Sequence, residues 1–213
     1  MVHHISYEKL RVEYGNCPFE EKTLNIDPLQ QFTHWFQEAV KADVFEPNGM
    51  ALATVSPVGQ PCSRIVLLKK LDQKGFIFFT NYTSRKGEQL AHSPRASLTF
   101  WWREIFRQVS IEGVVKKVSR KLSREYFAKR PRGAQIAATL STQSKPIVNN
   151  LQQEFREFQK KCRGKEIACP TTWGGYRLLP ERIEFWQGRK NRLHDRFLYV
   201  KTNGSWVVSR LAP

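Results

Sequence analysis

The first regular hydrophobic pattern in the chain lies between residues 28 and 41. Apolar and aromatic side chains recur there at helical spacing, from Leu29 to Val40. Asp27 is a good helix cap, and Pro28 suits the first helical position because its missing N–H would have no partner there. The pattern therefore predicts an amphipathic helix that ends at about Lys41, with its aromatic stripe in the core.

From Met50 onward, short apolar and β-branched runs are separated by turn residues, which is typical of strands. The strands predicted from these runs cover residues 51–56, 62–71, 76–81, 96–102, 107–118, 175–179, 182–187, 192–201 and 205–210. Further helices are predicted over residues 84–92, over 119–140 with a break at Arg130-Pro131, and over 148–163. So many short strands with tight turns predict a mainly β fold with flanking helices, arranged as an antiparallel β-barrel.

The chain contains no internal repeat and no low-complexity linker. Residues 1–25 are polar and mixed, and they predict an N-terminal arm with a short helix around residues 7–14. Residues 26–213 are predicted to form a single domain. A length of 213 residues with 40% hydrophobic content is enough for a substantial core.

Composition narrows the class of protein. No run approaches the roughly 20 apolar residues of a membrane span, and the first residues contain no apolar signal core. A soluble cytoplasmic protein with no membrane contact is therefore expected. The four cysteines form no C-x-x-C pair and have no clustered histidine partners, so neither a metal site nor a disulfide framework is expected.

The formal net charge is +16, which indicates an anionic partner. Nucleic acid, acidic membranes and phosphorylated small molecules all fit such a charge, and charge alone does not choose among them. The positions at which cations are interleaved with specific polar groups are therefore more informative than the total.

Three such positions are Arg192, His194 and Arg196, which alternate along the chain just after residues 186–188. In a strand they would share one face, because successive side chains point to opposite sides. Two arginines beside a histidine repel one another unless an anion lies between them, so the pattern indicates an anion-binding face. A solvated strand face is an equally good interpretation of this motif alone.

A second candidate region covers two neighbouring segments. Arg64 and Lys69 flank an apolar run, and on a strand without a bulge they would point to opposite faces. A hydroxyl-rich loop from Thr80 leads into a predicted helix whose first turn contains Arg85 and Lys86. Cations are unfavourable at a helix amino terminus, but a bound phosphate would reverse that penalty. The alternative is an ordinary surface cap with tolerated charges.

Neutral and clamping groups complete the candidate chemistry. Gln108, Gln143 and Ser144 offer amides and a hydroxyl that suit the polar atoms of a heterocycle. Tyr126 and Arg130 are four residues apart on a predicted helix, so they share a face and can clamp an anion. No Ser-His-Asp order, phosphate-binding glycine loop or H-E-x-x-H motif is present, and a bound organic cofactor fits these groups better.

Taken together, these segments resemble the pyridoxine/pyridoxamine 5′-phosphate oxidase family, from about Tyr7 to the end of the chain. The matching motifs are RIVLLK (64–69), FFTNYTSRKG (78–87), RQV (107–109), YFAKRPRGAQI (126–136), TQS (142–144), WGGY (173–176), EFWQG (184–188) and NRLHDR (191–196). They occur in the order that the family has. No single motif is specific, but their joint occurrence is.

The resemblance implies an FMN-binding split barrel that acts as a homodimer, with the flavin at the subunit interface. It implies oxidation of pyridoxine 5′-phosphate or pyridoxamine 5′-phosphate to pyridoxal 5′-phosphate. Dioxygen would reoxidise the flavin and yield hydrogen peroxide, and the amine would also release ammonia. A nucleic-acid partner is then not expected. The rival interpretations are another FMN split-barrel reductase or flavin-binding protein and, more distantly, a basic nucleic-acid-binding module.

The resemblance also implies roles for individual residues. The FMN contacts implied are Arg64, Ile65, Val66, Leu67, Leu68, Lys69, Phe79, Thr80, Arg85, Lys86, Gln108, Gln143, Ser144, Trp186 and Arg196. The substrate contacts implied are Arg11 and Tyr14 in the arm, Lys69, Tyr126 and Arg130 at the phosphate, and Arg192 and His194 at the ring and reacting carbon. The last two are the implied catalytic residues.

One substrate position departs from the family pattern. Ala134 stands where the family has a serine that binds the substrate phosphate. A hydrogen bond to a charged group contributes about 1.5–3 kcal/mol, so its loss weakens substrate binding roughly tenfold to a hundredfold unless water or Arg132 compensates.

Overall fold

The computed structural model describes residues 6, 10, 12–15 and 17–213. The helices are α1 Pro28–Lys41, α2 Arg85–His92, α3 Arg120–Ala128, α4 Arg132–Leu140 and α5 Leu151–Lys161. The strands are β1 Gly49–Val55, β2 Pro61–Leu67, β3 Lys70–Asp72, β4 Gly75–Asn81, β5 Arg95–Trp102, β6 Arg107–Lys117, β7 Trp173–Gln187, β8 Asp195–Thr202 and β9 Ser205–Leu211. No helix in this part of the chain combines the length and the apolarity that a membrane crossing requires.

The strand order is β2-β1-β5-β6-β7-β4-β3, with β8 paired to β7 and β9 paired to β8. The chain divides into two compact units. The central unit contains residues 48–99 and 111–181, and the terminal unit contains residues 1–47, 100–110 and 182–213. The predicted division into an arm and a single domain stays a prediction.

The central unit is built on two antiparallel strand groups. Strand β1 pairs with both β2 and β5, while β4 pairs with β3 and with residues 173–178 of β7. A second apolar cluster packs α3, α4 and α5 around Phe127, Ile136 and Trp173. Gly75 has a φ of +141°, and a Cβ there would lie 2.1 Å from the Leu178 carbonyl oxygen, so the turn before β4 requires glycine.

The terminal unit packs α1 against aromatic side chains. Asp27 accepts a hydrogen bond from the Leu29 N–H over 2.9 Å, and the helix begins at Pro28 and ends at Lys41, as predicted. The Trp35 ring lies edge-on to Phe185 at 5.2 Å. Residues 182–187 of β7 pair with β8, which pairs with β9.

Two strand predictions are wrong in their boundaries. Residues 175–179 and 182–187 belong to one strand, because Pro180 lies where β7 changes partner from β4 to β8 and its missing N–H breaks neither ladder. Residues 62–71 instead form two strands. After β2 ends, the Leu68 N–H donates to the Asn48 carbonyl and the Lys69 N–H to the Ile77 carbonyl, which redirects the chain.

Other predicted elements are confirmed with small shifts or corrected. The break at Arg130-Pro131 separates α3 from α4 as predicted. Helix α5 is shorter than the predicted residues 148–163, since Asn150 caps it by accepting from the Gln153 N–H. In the short helix predicted around residues 7–14, residues 10 and 12–14 are not helical and the rest lie outside the described residues. So short a segment gains too few helical hydrogen bonds to be stable by itself.

Candidate active site

A cavity of about 760 Å³ lies in the central unit, a volume that suits a small organic ligand. It is lined by predicted site residues from four separate segments of the chain: Arg64, Ile65, Val66, Leu67, Lys69, Phe79, Thr80, Lys86, Tyr126, Arg130 and Gln143. Leu68 is buried and does not line it. The fold therefore brings together most of the central-unit residues that the motifs single out.

Arg64 and Lys69 both line this cavity, contrary to the expectation that they point to opposite faces. The expectation was conditional on one regular strand, and β2 ends at Leu67. Because the chain turns after that residue, Lys69 is not in the alternation that places Arg64. The bend between β2 and β3 thus gives the cavity two cations from one short segment.

One group of cavity-lining side chains, here called the polar end, contains the buried Lys86 and the half-buried Arg64. Lys86 is 8% exposed, and its Nζ donates to Thr80 Oγ1 over 3.4 Å. Thr80 in turn donates to Gln143 Oε1 over 3.1 Å. Arg64 donates through Nη2 to Gln89 Oε1 over 3.1 Å. Among the described residues, no carboxylate lies within ion-pair distance of Arg64 or Lys86.

Burial lowers the pKa of both cations at this end. For Lys86 the main cause is desolvation, with the positive charge of Arg64 as the second. For Arg64 desolvation is again the main cause. A bound anion would oppose both effects, because an opposite charge favours the protonated forms. The pKa directions therefore indicate a place suited to a phosphate.

The start of α2 explains how these groups are placed. Ser84 is fully buried and caps the helix, since its hydroxyl accepts from the Gly87 N–H over 3.4 Å. A Cβ on Gly87 would lie 2.2 Å from the Tyr82 carbonyl oxygen, so only glycine allows this close turn. Arg85 and Ser144 line a neighbouring cavity of about 450 Å³ that shares Arg64 and Lys86 with the larger one. The side chains predicted to bind a phosphate therefore converge at the start of α2.

A second group of side chains that line the larger cavity, here called the aromatic end, surrounds the Phe79 ring. The Phe79 ring lies 4.0 Å from Tyr126 and 5.4 Å from Trp173, with interplanar angles of 20° and 14°. The Arg130 guanidinium lies 4.8 Å above the Trp173 ring, and its Nη1 is buried with no hydrogen-bond partner in the described chain. Desolvation lowers the pKa of Arg130 and raises that of Tyr126. An unpaired buried guanidinium nitrogen is costly, and an anionic ligand would remove that cost.

The structure adds residues for which no role was predicted. Asn81, Lys129, Ser141 and Trp173 also line the cavity. Lys129 stands beside Arg130 in the sequence, which is the signal that could have revealed it. Ala134 is half-buried in α4 and does not line the cavity.

A second group of predicted residues lies in the terminal unit, around the Tyr14 ring. Tyr14 is 5.7 Å from Trp186 and 5.5 Å from His194, both in edge contacts. Arg192 donates to the Tyr14 hydroxyl over 3.3 Å, and its guanidinium lies 5.1 Å from the ring centre. Gln108 donates to Ser110 Oγ over 3.3 Å. Arg11 lies outside the described residues.

The predicted alternation of Arg192, His194 and Arg196 along one strand face is wrong. Strand β8 begins only at Asp195, and Arg192 lies in a 3₁₀ turn with a φ of +62°. Left-handed backbone at Asn191 and Arg192 turns the chain and breaks the two-residue alternation. Arg192 and His194 nevertheless meet at Tyr14, while Arg196 pairs with Glu184 over 2.8 Å.

Comparison with known proteins identifies the family. A family model described as pyridoxamine 5′-phosphate oxidase matches residues 36–161, which is more than half of the chain. The chain belongs to this family. A second model, described as the C-terminal dimerisation region of pyridoxine 5′-phosphate oxidase, matches residues 173–213. The resemblance drawn from the motifs is therefore confirmed.

Several relatives can be aligned with this member of the pyridoxamine 5′-phosphate oxidase family over almost its whole length. The pyridoxine/pyridoxamine 5′-phosphate oxidase of Cyanothece sp. is 50% identical over 211 residues, 98% of this chain and 99% of that protein. The one from Bacteroides thetaiotaomicron is 51% identical over 208 residues, 96% and 97% of the two chains. PhzG from Burkholderia lata 383, solved with tetrahydrophenazine-1-carboxylic acid, is 30% identical, with a TM-score of 0.88 over 92% of this chain and 98% of that one.

The similarity to PhzG confirms the predicted fold class for this family member, a mainly β split-barrel structure with flanking helices. The match to the dimerisation region covers Arg192, His194 and Arg196. The roles predicted for individual residues stay predictions.

Proposed function

We propose that this protein is an FMN-dependent oxidase that converts pyridoxine 5′-phosphate or pyridoxamine 5′-phosphate to pyridoxal 5′-phosphate, with dioxygen as the electron acceptor. The observation that carries the proposal is that two groups of side chains around one cavity each contain a cation for which the described residues provide no carboxylate partner. Arg64 and Lys86 lie at its polar end and Arg130 at its aromatic end. Two phosphorylated ligands would provide one anion for each end.

FMN fits the polar end. A buried Lys86 beside Arg64, with the Thr80 hydroxyl and the Gln143 amide within hydrogen-bond distance of one another, suits a phosphate dianion. Arg85 and Ser144, around the smaller cavity, extend the same set of donors. When bound, FMN supplies a two-electron acceptor for the hydride of the substrate carbon, and dioxygen carries those electrons away as hydrogen peroxide.

The substrate phosphate is assigned to the aromatic end. Arg130 and Tyr126 belong to this group, Lys69 lines the same cavity, and the exposed Lys129 adds a further cation. Lys129 is our candidate for compensating the serine that is absent at Ala134. When its phosphate is bound, the substrate ring is oriented by this anchor as well as by the shape of the cavity. Such positioning favours a reactive geometry.

Arg192 and His194 are assigned to the substrate ring. Their contacts with Tyr14 support this assignment, because the three side chains lie together in one patch. A neutral His194 can donate from Nε2 to a ring oxygen, while Arg192 supplies a fixed positive charge. Both orient the substrate, and neither has to remove a proton from carbon. With the amine substrate, water then completes the release of ammonia.

We further propose that the enzyme is a homodimer with sites formed by two subunits. The match of residues 173–213 to a dimerisation region supports this, because those residues include Arg192 and His194. The test mixes the variants Arg130→Met and Arg192→Met after subunit exchange, at a substrate concentration far below the raised KM, where neither variant alone should have appreciable activity. Recovered activity of about a quarter of wild type is expected from heterodimers with one intact site. No recovery despite proven exchange would contradict shared sites.

The experiment that tests the activity is an absorption spectrum of the purified protein under anaerobic conditions. A yellow chromophore that bleaches on addition of pyridoxine 5′-phosphate, followed by peroxide release in air, is expected. A yellow protein that stays oxidised would contradict the proposed substrate. The nucleic-acid alternative predicts instead a colourless protein with steeply salt-dependent affinity.

The relation to PhzG defines a second arm of that experiment. Tetrahydrophenazine-1-carboxylic acid has no phosphate. Its carboxylate carries less negative charge, so it would interact less strongly with the buried guanidinium nitrogen of Arg130. We therefore expect faster bleaching with pyridoxine 5′-phosphate than with the tricyclic acid. Faster bleaching with the tricyclic acid would indicate that the function of this protein is closer to that of PhzG.

A further inference from the structure

The loop between β7 and β8 holds the His194 ring through Nδ1. The backbone N–H of Arg189 donates to His194 Nδ1 over 3.1 Å. Since a backbone N–H can only donate, Nδ1 must be unprotonated, and the neutral ring carries its proton on Nε2. The Trp186 ring, 4.5 Å from the imidazole, packs against the same side chain.

Asp195 fixes the residue that supplies this N–H. Its carboxylate is paired with the Arg189 guanidinium, and Asp195 is only 5% exposed. Asp195 is also the first residue of β8 and lies opposite Gln187 in the strand register. The loop of residues 188–194 is therefore closed at its base by the strand pair and at its side by the ion pair.

Asp195 is itself held by two other segments of the terminal unit. Its Oδ2 accepts from the Phe19 N–H over 3.0 Å, and its Oδ1 accepts from Arg210 Nη2 over 3.0 Å. These bonds come from the segment before α1 and from β9. A carboxylate with donors from three directions has little freedom to move, so it can serve as a reference point for the loop.

We propose that Asp195, acting through Arg189, is a positioning residue that fixes the orientation and the tautomer of His194. The inference rests on the proposed function in one respect, that His194 acts on the substrate ring. The Asp195–Arg189 pair keeps the Arg189 amide beneath Nδ1, which leaves Nε2–H as the donor. Without the pair, the ring would be free to exchange tautomers and to rotate.

The charges around His194 act in the same direction as this arrangement. Burial lowers the pKa of His194, and the positive charges of Arg192 and Arg196 lower it further, while Asp195 opposes them. The phenol of Tyr14 also lies against the ring. The lowered pKa favours the neutral imidazole, which is the state in which a tautomer has to be selected.

The test compares Arg189→Met with Arg210→Met in the FMN-loaded protein. Each variant removes one arginine from Asp195, but only Arg189 connects that carboxylate to the imidazole. Nitrogen-15 NMR of the histidine side chains reports which ring nitrogen carries the proton, and His194→Asn identifies the signals. We expect Nε2–H alone in the wild type and in Arg210→Met, and a mixture of tautomers in Arg189→Met.

Arg189→Lys is the conservative control, since lysine keeps the charge and can still pair with Asp195. It should restore a single tautomer. We also expect Arg189→Met to lower kcat about tenfold to a hundredfold, with a smaller change in KM, because the ring donor is misplaced. Arg210→Met should retain the wild-type kcat.

A folded Arg189→Met protein with an unchanged spectrum would overturn the inference, and so would equal changes in Arg189→Met and Arg210→Met. If Arg189→Met does not fold, the wild-type spectrum still decides, because a proton on Nδ1 contradicts the assignment. The spectrum is independent of turnover. If the tautomer depends on Arg189 but the protein does not react with pyridoxine 5′-phosphate, the proposed function is contradicted and the inference about Asp195 is not.

Discussion

The central cavity and the terminal-unit cluster both collect arginine side chains, but their charges are balanced differently. In the cavity, Arg130 has a buried nitrogen without a partner in the described chain, and Lys86 has no carboxylate within ion-pair distance there. In the terminal unit, Arg196 is paired with Glu184, and Asp195 is paired with two arginines.

The difference separates binding from support. Burying a cation without a counter-charge costs free energy and does not help the protein fold. A phosphate ligand would offset that cost. Cations that already have carboxylates instead fix the loops that carry them. Removing a cavity cation should therefore affect ligand binding more than stability, and removing a paired group in the terminal unit should do the reverse.

The largest expected effect is on stability, from Asp195→Ala. This change leaves Arg189 and Arg210 without their carboxylate and removes a hydrogen bond from the Phe19 N–H. We expect the free energy of unfolding to fall by about 3 kcal/mol, as for broken buried ion pairs. Urea denaturation measures it. Glu181→Ala is the control, because its exposed pair with Arg95 contributes under about 1 kcal/mol. Equal losses would remove the distinction between the two kinds of pair.

Arg130→Met should give the next largest effect, and in the opposite quantity. The KM for pyridoxine 5′-phosphate should rise about fiftyfold, since hydrogen bonds between charged groups contribute about 1.5–3 kcal/mol. The free energy of unfolding in phosphate-free buffer should not fall. Arg124→Met, on the exposed side of α3, is matched in charge and should leave KM unchanged. A marked loss of stability in Arg130→Met would indicate a structural role instead.

Lys129→Ala sharpens the comparison within the cavity. Because Lys129 is exposed, its interaction with a phosphate is screened, and we expect KM to rise only about threefold. The effect should diminish at high salt, whereas that of Arg130→Met should persist. Steady-state kinetics at two salt concentrations measures both. A salt-independent effect of Lys129→Ala would show that this lysine is enclosed when substrate binds.

The smallest effect concerns pH. The pKa of His194 is lowered, so the folded protein takes up this proton at a lower pH than the unfolded chain does. Its contribution to stability is therefore complete above about 6.5 and diminishes as the pH falls below that value. We expect kcat/KM to be independent of pH down to about 6.5, so that its decrease at acidic pH occurs below that value. An acid limb above the ordinary histidine value would contradict a neutral His194.

Local signals made part of this molecule predictable. The bounds of α1 follow from Asp27, Pro28 and the apolar spacing, all within the helix itself. The cap of α2 by Ser84 is equally local. The adjacent cations Arg85 and Lys86 were also predictable, because both lie in the first turn of α2.

The rest depends on interactions between distant segments. Pro180 looks like a strand break, but it is tolerated because β7 exchanges one partner for another at that point. The alternation of Arg192, His194 and Arg196 failed because left-handed backbone at residue 192 is not specified by an arginine side chain. Asp195 had no predicted role, since its donors come from residues 19, 189 and 210.

Because Arg130 Nη1 has no hydrogen-bond partner among the described residues, we expect the protein to be sensitive to its buffer. Inorganic phosphate or sulfate can satisfy that nitrogen, and any solute that binds only the folded chain stabilises it, by about 1.4 kcal/mol at ten times its dissociation constant. Melting temperatures from phosphate and from chloride solutions should therefore differ. Ligand affinities determined in phosphate-buffered saline would be underestimated by competition, so a non-coordinating buffer is the appropriate choice for this enzyme.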